Sequence, residues 1–282
     1  MHNEFCGWYF KCQSRDETIA LIPAVHGSGE SRAGSLQFIS REENWILPFS
    51  GGRCRVEKNR PAARMGESVF SEKGICLRLR TDSVCAAGAV RFRGLTPLRY
   101  DIMGPFRCVP FMECRHSVVS MRHRVDGRLQ INGNEYCFHN AAGYIEGDRG
   151  RSFPRQYAWT QCCFQAGSLM LAVADIPLGP FRFTGVTGAV RLRGKEYRLA
   201  TYLGAKAAVI RDGTVVVRQG NLSLTAVLLD RSARTLIAPA DGSMTRTIRE
   251  NVACRAFYEL RESGRRLFSF ETDNASFEFE YP

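Results

Sequence analysis

The chain has 282 residues, room for one large β domain or two domains of ordinary size. It is 44% hydrophobic and 24% charged, a globular balance that excludes a disordered polypeptide. Its 39 basic residues, 34 Arg and 5 Lys, stand against 28 acidic ones; the formal net charge of +11 excludes an acidic surface and leaves an anionic partner open.

The first residues, MHNEFCGWYFKC, carry no basic segment followed by an apolar one, so no signal peptide is expected there. No apolar run reaches about 18 residues, the length a spanning helix needs. Eleven cysteines at irregular spacing include no C-x-x-C pair, which removes support for a zinc ribbon or a thioredoxin-like site. Reduced thiols in a cytoplasmic protein are the expectation.

In chain order, residues 7–11 and 19–25 read as strands, followed by a long insertion over 27–70. Residues 60–68 are a weak helical candidate. Residues 75–80, ICLRLR, alternate with period two, as does the final FEFEY, and 214–218, TVVVR, are rich in β-branched residues. Turn signals recur at Asp126-Gly127, Asn132-Gly133-Asn134, Asp212-Gly213, Asp241-Gly242 and Ser263-Gly264. A second weak helical candidate covers 244–251. Short strands between hairpin turns predict an all-β sandwich or barrel. The heptad GAVRFRG at 88–94 recurs as GAVRLRG at 188–194, and a looser match pairs WYFKC from Trp8 with WTQCC from Trp159. Two related β modules follow, at 1–140 and 141–282. Alternation within each heptad places its arginines on the solvent side.

Residues 143–164, GYIEGDRGRSFPRQYAWTQCCF, are the densest run of unusual residues. The pattern predicts a strand ending near Glu146, a loop over 147–152 and a second strand from Tyr157, the two forming a hairpin-like element. Tyr157, Trp159 and Gln161 then share a face. In residues 106–124, Cys114, His116 and Val118 face one way if the segment is extended, and Glu113, Arg115 and Ser117 the other. A Glu and a His among apolar residues need partners if buried. The five histidines (2, 26, 116, 123, 139) lack H-x-H or H-E-x-x-H spacing, so a metal site is not expected. P-loop, G-x-S-x-G and G-x-G-x-x-G signatures are absent.

Residues 7–11 (GWYFK), 111–121 (FMECRHSVVSM) and 143–161 stand in the order found in the tocopherol cyclase family, which the chain resembles nearly end to end. The resemblance implies two lipocalin-like (calycin-type) antiparallel β-barrel modules in tandem, an architecture shared with carotenoid hydratases. It departs from the family at Cys6, where a glutamate often stands, and at Arg149, where the plant enzymes resemble one another in a tryptophan. By the resemblance, the chain binds an apolar, prenylated substrate in a barrel pocket and closes a ring by protonating an alkene, an isomerase-class reaction without metal or organic cofactor. The acid must hold a proton near neutral pH, which apolar surroundings favour. Asp148 is the first candidate, then Glu146 and Glu113; Asp175, ending an apolar run, is a further carboxylate. Trp8, His26, His116, Arg151, Tyr157, Trp159 and Gln161 are candidate substrate contacts. Pairing of Glu146 and Asp148 with Arg149 and Arg151 is the competing structural role.

Two alternatives stay open: a lipocalin-like binder without chemistry, and an alkene hydratase. Nucleic-acid binding is not expected, because the arginines are dispersed and no basic run exceeds Arg265-Arg266. Peripheral contact with anionic lipid is compatible with an apolar substrate. Oligomeric state is not legible.

Overall fold

The computed structural model of the chain describes residues 4–29, 32–110, 112–178, 181–230 and 233–282. Among them there is no α-helix; strands are joined by tight turns and short 3-10 segments. At Asn132-Gly133, Asp212-Gly213, Asp241-Gly242 and Ser263-Gly264 both central residues have positive φ, the backbone that matches the twist of a two-residue hairpin. Asp126-Gly127 behaves differently. It lies inside a strand at a bulge, where Gly127 takes a φ of 133° and a Cβ would stand 2.3 Å from the Ala89 carbonyl oxygen.

One unit comprises Met1–Arg99, Phe111–Phe153 and Leu236–Thr247. Its strands are β1 (Glu4–Gln13), β2 (Thr18–Gly27), β3 (Ala33–Ser40), β4 (Asn44–Ser50), β5 (Cys54–Val56), β6 (Ala63–Met65), β7 (Ser68–Ser71), β8 (Gly74–Arg80), β9 (Cys85–Arg93), β10 (Cys114–Ile131) and β11 (Asn134–Gly150). They form an antiparallel sheet in the order β4-β3-β2-β1-β11-β10-β9-β8-β7-β6-β5. The sheet curls until β5 lies on β3; a Cβ at Gly34 would meet Cys54 Sγ at 2.5 Å. Alternate residues fill the interior, among them Trp8, Phe10, Leu36, Phe38, Phe70, Phe92, Phe138 and Ile145. The Trp8 indole donates to the Glu57 carbonyl at 2.8 Å and occupies the space a Gly147 side chain would need. The segment Leu236–Thr247 is clasped to this unit by paired hydrogen bonds between the Gln37 amide and the Ile237 backbone.

The other unit comprises Tyr100–Pro110, Pro154–Thr235 and Ile248–Pro282. Its sheet runs β15 (Lys195–Ala200), β14 (Phe181–Leu192), β13 (Gly167–Leu178), β12 (Tyr157–Phe164), β21 (Arg265–Phe279), β20 (Ser243–Glu262), β18 (Leu222–Leu228), β17 (Thr214–Gln219), β16 (Lys206–Arg211), with β19 (Arg234–Ala240) paired to β20. Its interior includes Leu171, Val186, Leu199, Val217, Leu224, Tyr258 and Phe277. Both weak helical candidates are strand: 63–65 and 68–71 form β6 and β7, and 244–251 lie in β20. All eleven cysteines are unbridged.

The two sheets share one topology, with β1, β2 and β11 of the first unit matching β12, β13 and β21 of the second. That correspondence supports the looser match between Trp8 and Trp159 segments and not the heptads. The first heptad lies in β9, whose counterpart is β18; the second lies in β14, whose counterpart is β3. The heptads are alike because both end in a strand with alternating apolar residues. Arg91 and Arg93 are exposed as expected, whereas Arg191 is half-buried. Position 140/141, the anticipated boundary, falls within β11, and the chain passes from one unit to the other between Phe153 and Pro154.

Gly147 supplies a test of this packing. A Cβ there would lie 2.3 Å from Trp8 Cε3, so Gly147→Ala is expected to cost roughly 2 kcal/mol in chemical denaturation. In a Trp8→Leu background, where the indole is gone, the same substitution is expected to cost far less.

Candidate functional site

Because β1 and β11 lie mid-sheet, both of their faces can be covered. One face of the first unit's sheet meets its own aromatic interior. The other carries, across β1, β11 and β10, the rows Tyr9–Glu146–Val118 and Gly7–Asp148–His116. Residues on this face are also buried: Tyr144 is fully so, Lys11 is 1% exposed and Glu146 5%. A polar cluster therefore sits on a surface that would otherwise be apolar.

His116 is its centre. Asp148 stands directly opposite in the ladder, and its Oδ1 lies 3.0 Å from His116 Nδ1. Glu146 Oε2 lies 3.3 Å from Nε2, the second ring nitrogen. Tyr144, two residues before Glu146 and on the same face, donates its hydroxyl to Glu146 Oε2 at 2.5 Å. Cys114 closes the group, with its thiol 3.4 Å from Asp148 Oδ1. Burial acting alone would push the imidazole pKa down. Asp148 and Glu146 more than reverse this and hold it well above the usual histidine range, so His116 is an imidazolium at neutral pH. Burial, then Asp148, pushes the Cys114 thiol far up, which keeps it protonated.

A second buried histidine shows how much the carboxylates contribute. His123 lies against Phe92 at a 4.5 Å ring separation, its Nδ1 is 3.2 Å from Ser120 Oγ, and burial lowers its pKa to about 4. Similar burial without a carboxylate gives a neutral ring.

Several predicted residues meet here and others do not. Asp148, Glu146 and His116 converge. Cys114 and His116 share a face as the alternation required, but Asp148 is not in a loop: β11 continues to Gly150, because β1 and β10 pair with it on both sides. The hairpin expected between the strands of residues 143–164 does not form, since β11 and β12 belong to different sheets. Arg149 points to the opposite face and binds Asn59 Oδ1 at 2.7 Å, so it does not neutralise Asp148. Arg151 is exposed beyond the end of β11, and Glu113 accepts the Arg151 backbone N–H through its carbonyl. Asp175 is ion-paired with Arg182 at 3.0 Å. His26 is half-buried beside Phe5 in β2, with Nδ1 lacking a hydrogen-bond partner. Trp8 belongs to the interior. Phe111, the first residue of one quoted motif, and His2 lie outside the described residues.

In the second unit, Tyr157, Trp159 and Gln161 share one buried face of β12, as predicted, turned away from the interior that holds Ala158 and Cys162. Trp159 stands opposite Glu278, whose carboxylate accepts the Tyr157 hydroxyl. Glu250 lies opposite Glu278 in the β20–β21 ladder and is 1% exposed. Tyr144, Cys114, Glu278 and Glu250 were missed. Period-two spacing was the signal available for two of them, running from Glu146 back to Tyr144 and from His116 back to Cys114.

His116, Glu146 and Asp148 offer ligand atoms within 4.8 Å of one another, a spacing compatible with a cation. The two carboxylates, however, address different nitrogens of one ring. An ion on either nitrogen would meet only one of them in line, and the arrangement suits a shared proton better.

No family model and no curated protein matches the sequence. Solved structures do match the fold. CghA, solved with Sch210972, superposes with a TM-score of 0.65 at 9% identity over 99% of this chain and 88% of its own. A protein provisionally named AttH from Nitrosomonas europaea gives 0.58 at 10% identity over 100% and 93%. Kievitone hydratase from Nectria haematococca gives 0.54 at 9% over 99% and 89%. The fold is thus a pair of lipocalin-like antiparallel β modules.

The raised His116 pKa fixes a pH signature. A group whose folded pKa lies above its unfolded value of 6.5 contributes fully below that value and loses its contribution as pH climbs through the folded pKa. His116→Gln is expected to destabilise the chain by about 3 kcal/mol near pH 6, with the gap narrowing in alkaline solution. Denaturation midpoints across pH, with ¹⁵N shifts reporting a charged His116 ring at pH 7.5, would check both; a neutral ring there would refute the assignment.

Proposed function

We propose that the chain binds an apolar, unsaturated small molecule and adds water across its alkene by acid–base catalysis. The observation that carries this reading is the His116 imidazolium held between Asp148 and Glu146 on a buried sheet face. Asp148 is the more exposed carboxylate, 22% against 6%, and so the one a substrate can touch. In the resting cluster the proton sits on His116. An apolar substrate laid over Asp148 removes water and favours the neutral pair, in which the proton has crossed from Nδ1 to Oδ1, two atoms 3.0 Å apart.

Asp148 then protonates one alkene carbon, leaving a tertiary cation on the other. Water attacks the cation, and the proton it sheds returns to Asp148 and His116. Alkene and water are consumed, the alcohol is formed and the cluster is restored. Glu146, with the Tyr144 hydroxyl on it, positions the imidazole and keeps negative charge beside the developing cation. Capture by a substrate's own phenol in place of water would give ring closure, the narrower reading that the tocopherol cyclase resemblance suggests. A hydratase among proteins of this fold supports water as the nucleophile. The polar face, rather than the aromatic-filled interior of the first unit, is where this chemistry belongs.

Incubation with a panel of prenylated phenols in ¹⁸O-labelled water separates the readings by mass spectrometry. Hydration adds the mass of one labelled water, ring closure gives an isomer of unchanged mass but altered chromatographic retention, and a pure binder returns the compound with both mass and retention unchanged. Asp148→Asn is expected to lower turnover roughly 10²- to 10⁴-fold while preserving binding. Unconverted ligand across the panel would overturn catalysis in favour of the binder.

A further inference from the structure

Another feature lies in the second unit, at one end of its sheet interior. A cavity of about 210 Å³ is walled by Leu228, Phe277 and Phe279, with Tyr281 beside Phe279 at a 5.9 Å ring separation. Two polar groups in its lining are buried without hydrogen-bond partners: the Asn251 amide nitrogen and the Tyr281 hydroxyl. Asn251 is 6% exposed and faces Phe277 across the ladder, next to a bulge that interrupts β20. Buried donors are ordinarily satisfied, so a pair of orphans lining one cavity marks a place shaped for something else.

The donors indicate what it is. The Asn251 amide nitrogen can only donate. Burial raises the Tyr281 pKa to about 12, so that hydroxyl keeps its proton and donates too. Arg249 lines the cavity from the exposed side, adding a cationic donor at the rim. Asp212, also exposed in the lining, disfavours multiply charged anions. The walls are aromatic and aliphatic, and the volume suits a single ring.

We propose that this cavity is a second ligand site, taking a small aromatic monocarboxylate with its ring against Phe277 and Phe279 and its carboxylate on Asn251, Tyr281 and Arg249. The site is built wholly from the second unit and does not depend on the alkene chemistry proposed for His116, Glu146 and Asp148.

The test is ¹⁹F NMR of the full chain titrated with 4-fluorobenzoate and, separately, 4-fluorobenzamide. Saturable broadening of 4-fluorobenzoate is expected, weakened about ten-fold or more by Asn251→Leu and by Tyr281→Phe, the second of which keeps the ring packing. Arg249→Gln is expected to weaken the benzoate but not the benzamide, and Asp148→Asn to change neither. No saturable binding, as when water alone serves the two donors, overturns the proposal. So does equal affinity in the Asn251 and Tyr281 variants, or loss of binding in Asp148→Asn.

Discussion

The imidazole of His116, gripped on both nitrogens by Asp148 and Glu146, is the interaction around which the first unit's polar face is organised. Three ionisable groups on a covered sheet face would be costly singly. Their cross-strand register makes them affordable together. Asp148 is opposite His116, and Glu146 is one pleat away on the same strand. The strand period supplies the fourth member, because Tyr144 must share the face of Glu146. The bulges that follow in β10 change register only beyond this point, between Val118 and Ser120 and again before His123.

The same period explains why one strand serves two purposes. In β11, Ile145 and Gly147 turn toward the interior, where Gly147 leaves room for the Trp8 indole, while Glu146 and Asp148 turn the other way. Packing and chemistry are thus interleaved residue by residue, and neither face can slip by one position without exchanging with the other. The second unit repeats the theme with different residues. A buried tyrosine, Tyr157, donates to a buried glutamate, Glu278, on the face away from its own interior. The tryptophans do not repeat in this way. Trp8 packs inside its unit, whereas Trp159 lies on the polar face opposite Glu278.

Much of the fold was legible. Turn pairs such as Asn132-Gly133 and Ser263-Gly264 require positive φ, and alternating strands between them leave an all-β chain as the consistent outcome. The convergence of Cys114 and His116 on one face followed from period two, as did that of Tyr157, Trp159 and Gln161. Asp126-Gly127 misled because glycine serves a bulge as readily as a turn. The heptad repeat misled because apolar–arginine alternation describes any half-exposed strand, whichever place in the sheet it holds. Arg149 looked like a partner for Asp148 by proximity in sequence, yet neighbours in a strand point to opposite faces.

Sequence alone settled the class of fold and the alternation of faces, since these depend on local backbone preference and a two-residue period, while the shortlist containing Asp148, Glu146 and His116 rested on the family resemblance of the blocks at 111–121 and 143–161. Tertiary structure decided which strands became neighbours. It brought β10 beside β11, so that His116 meets two carboxylates 30 and 32 residues away, and left His123 with none. That difference sets one ring charged and the other neutral. It is a matter of long-range pairing, which no local pattern encodes.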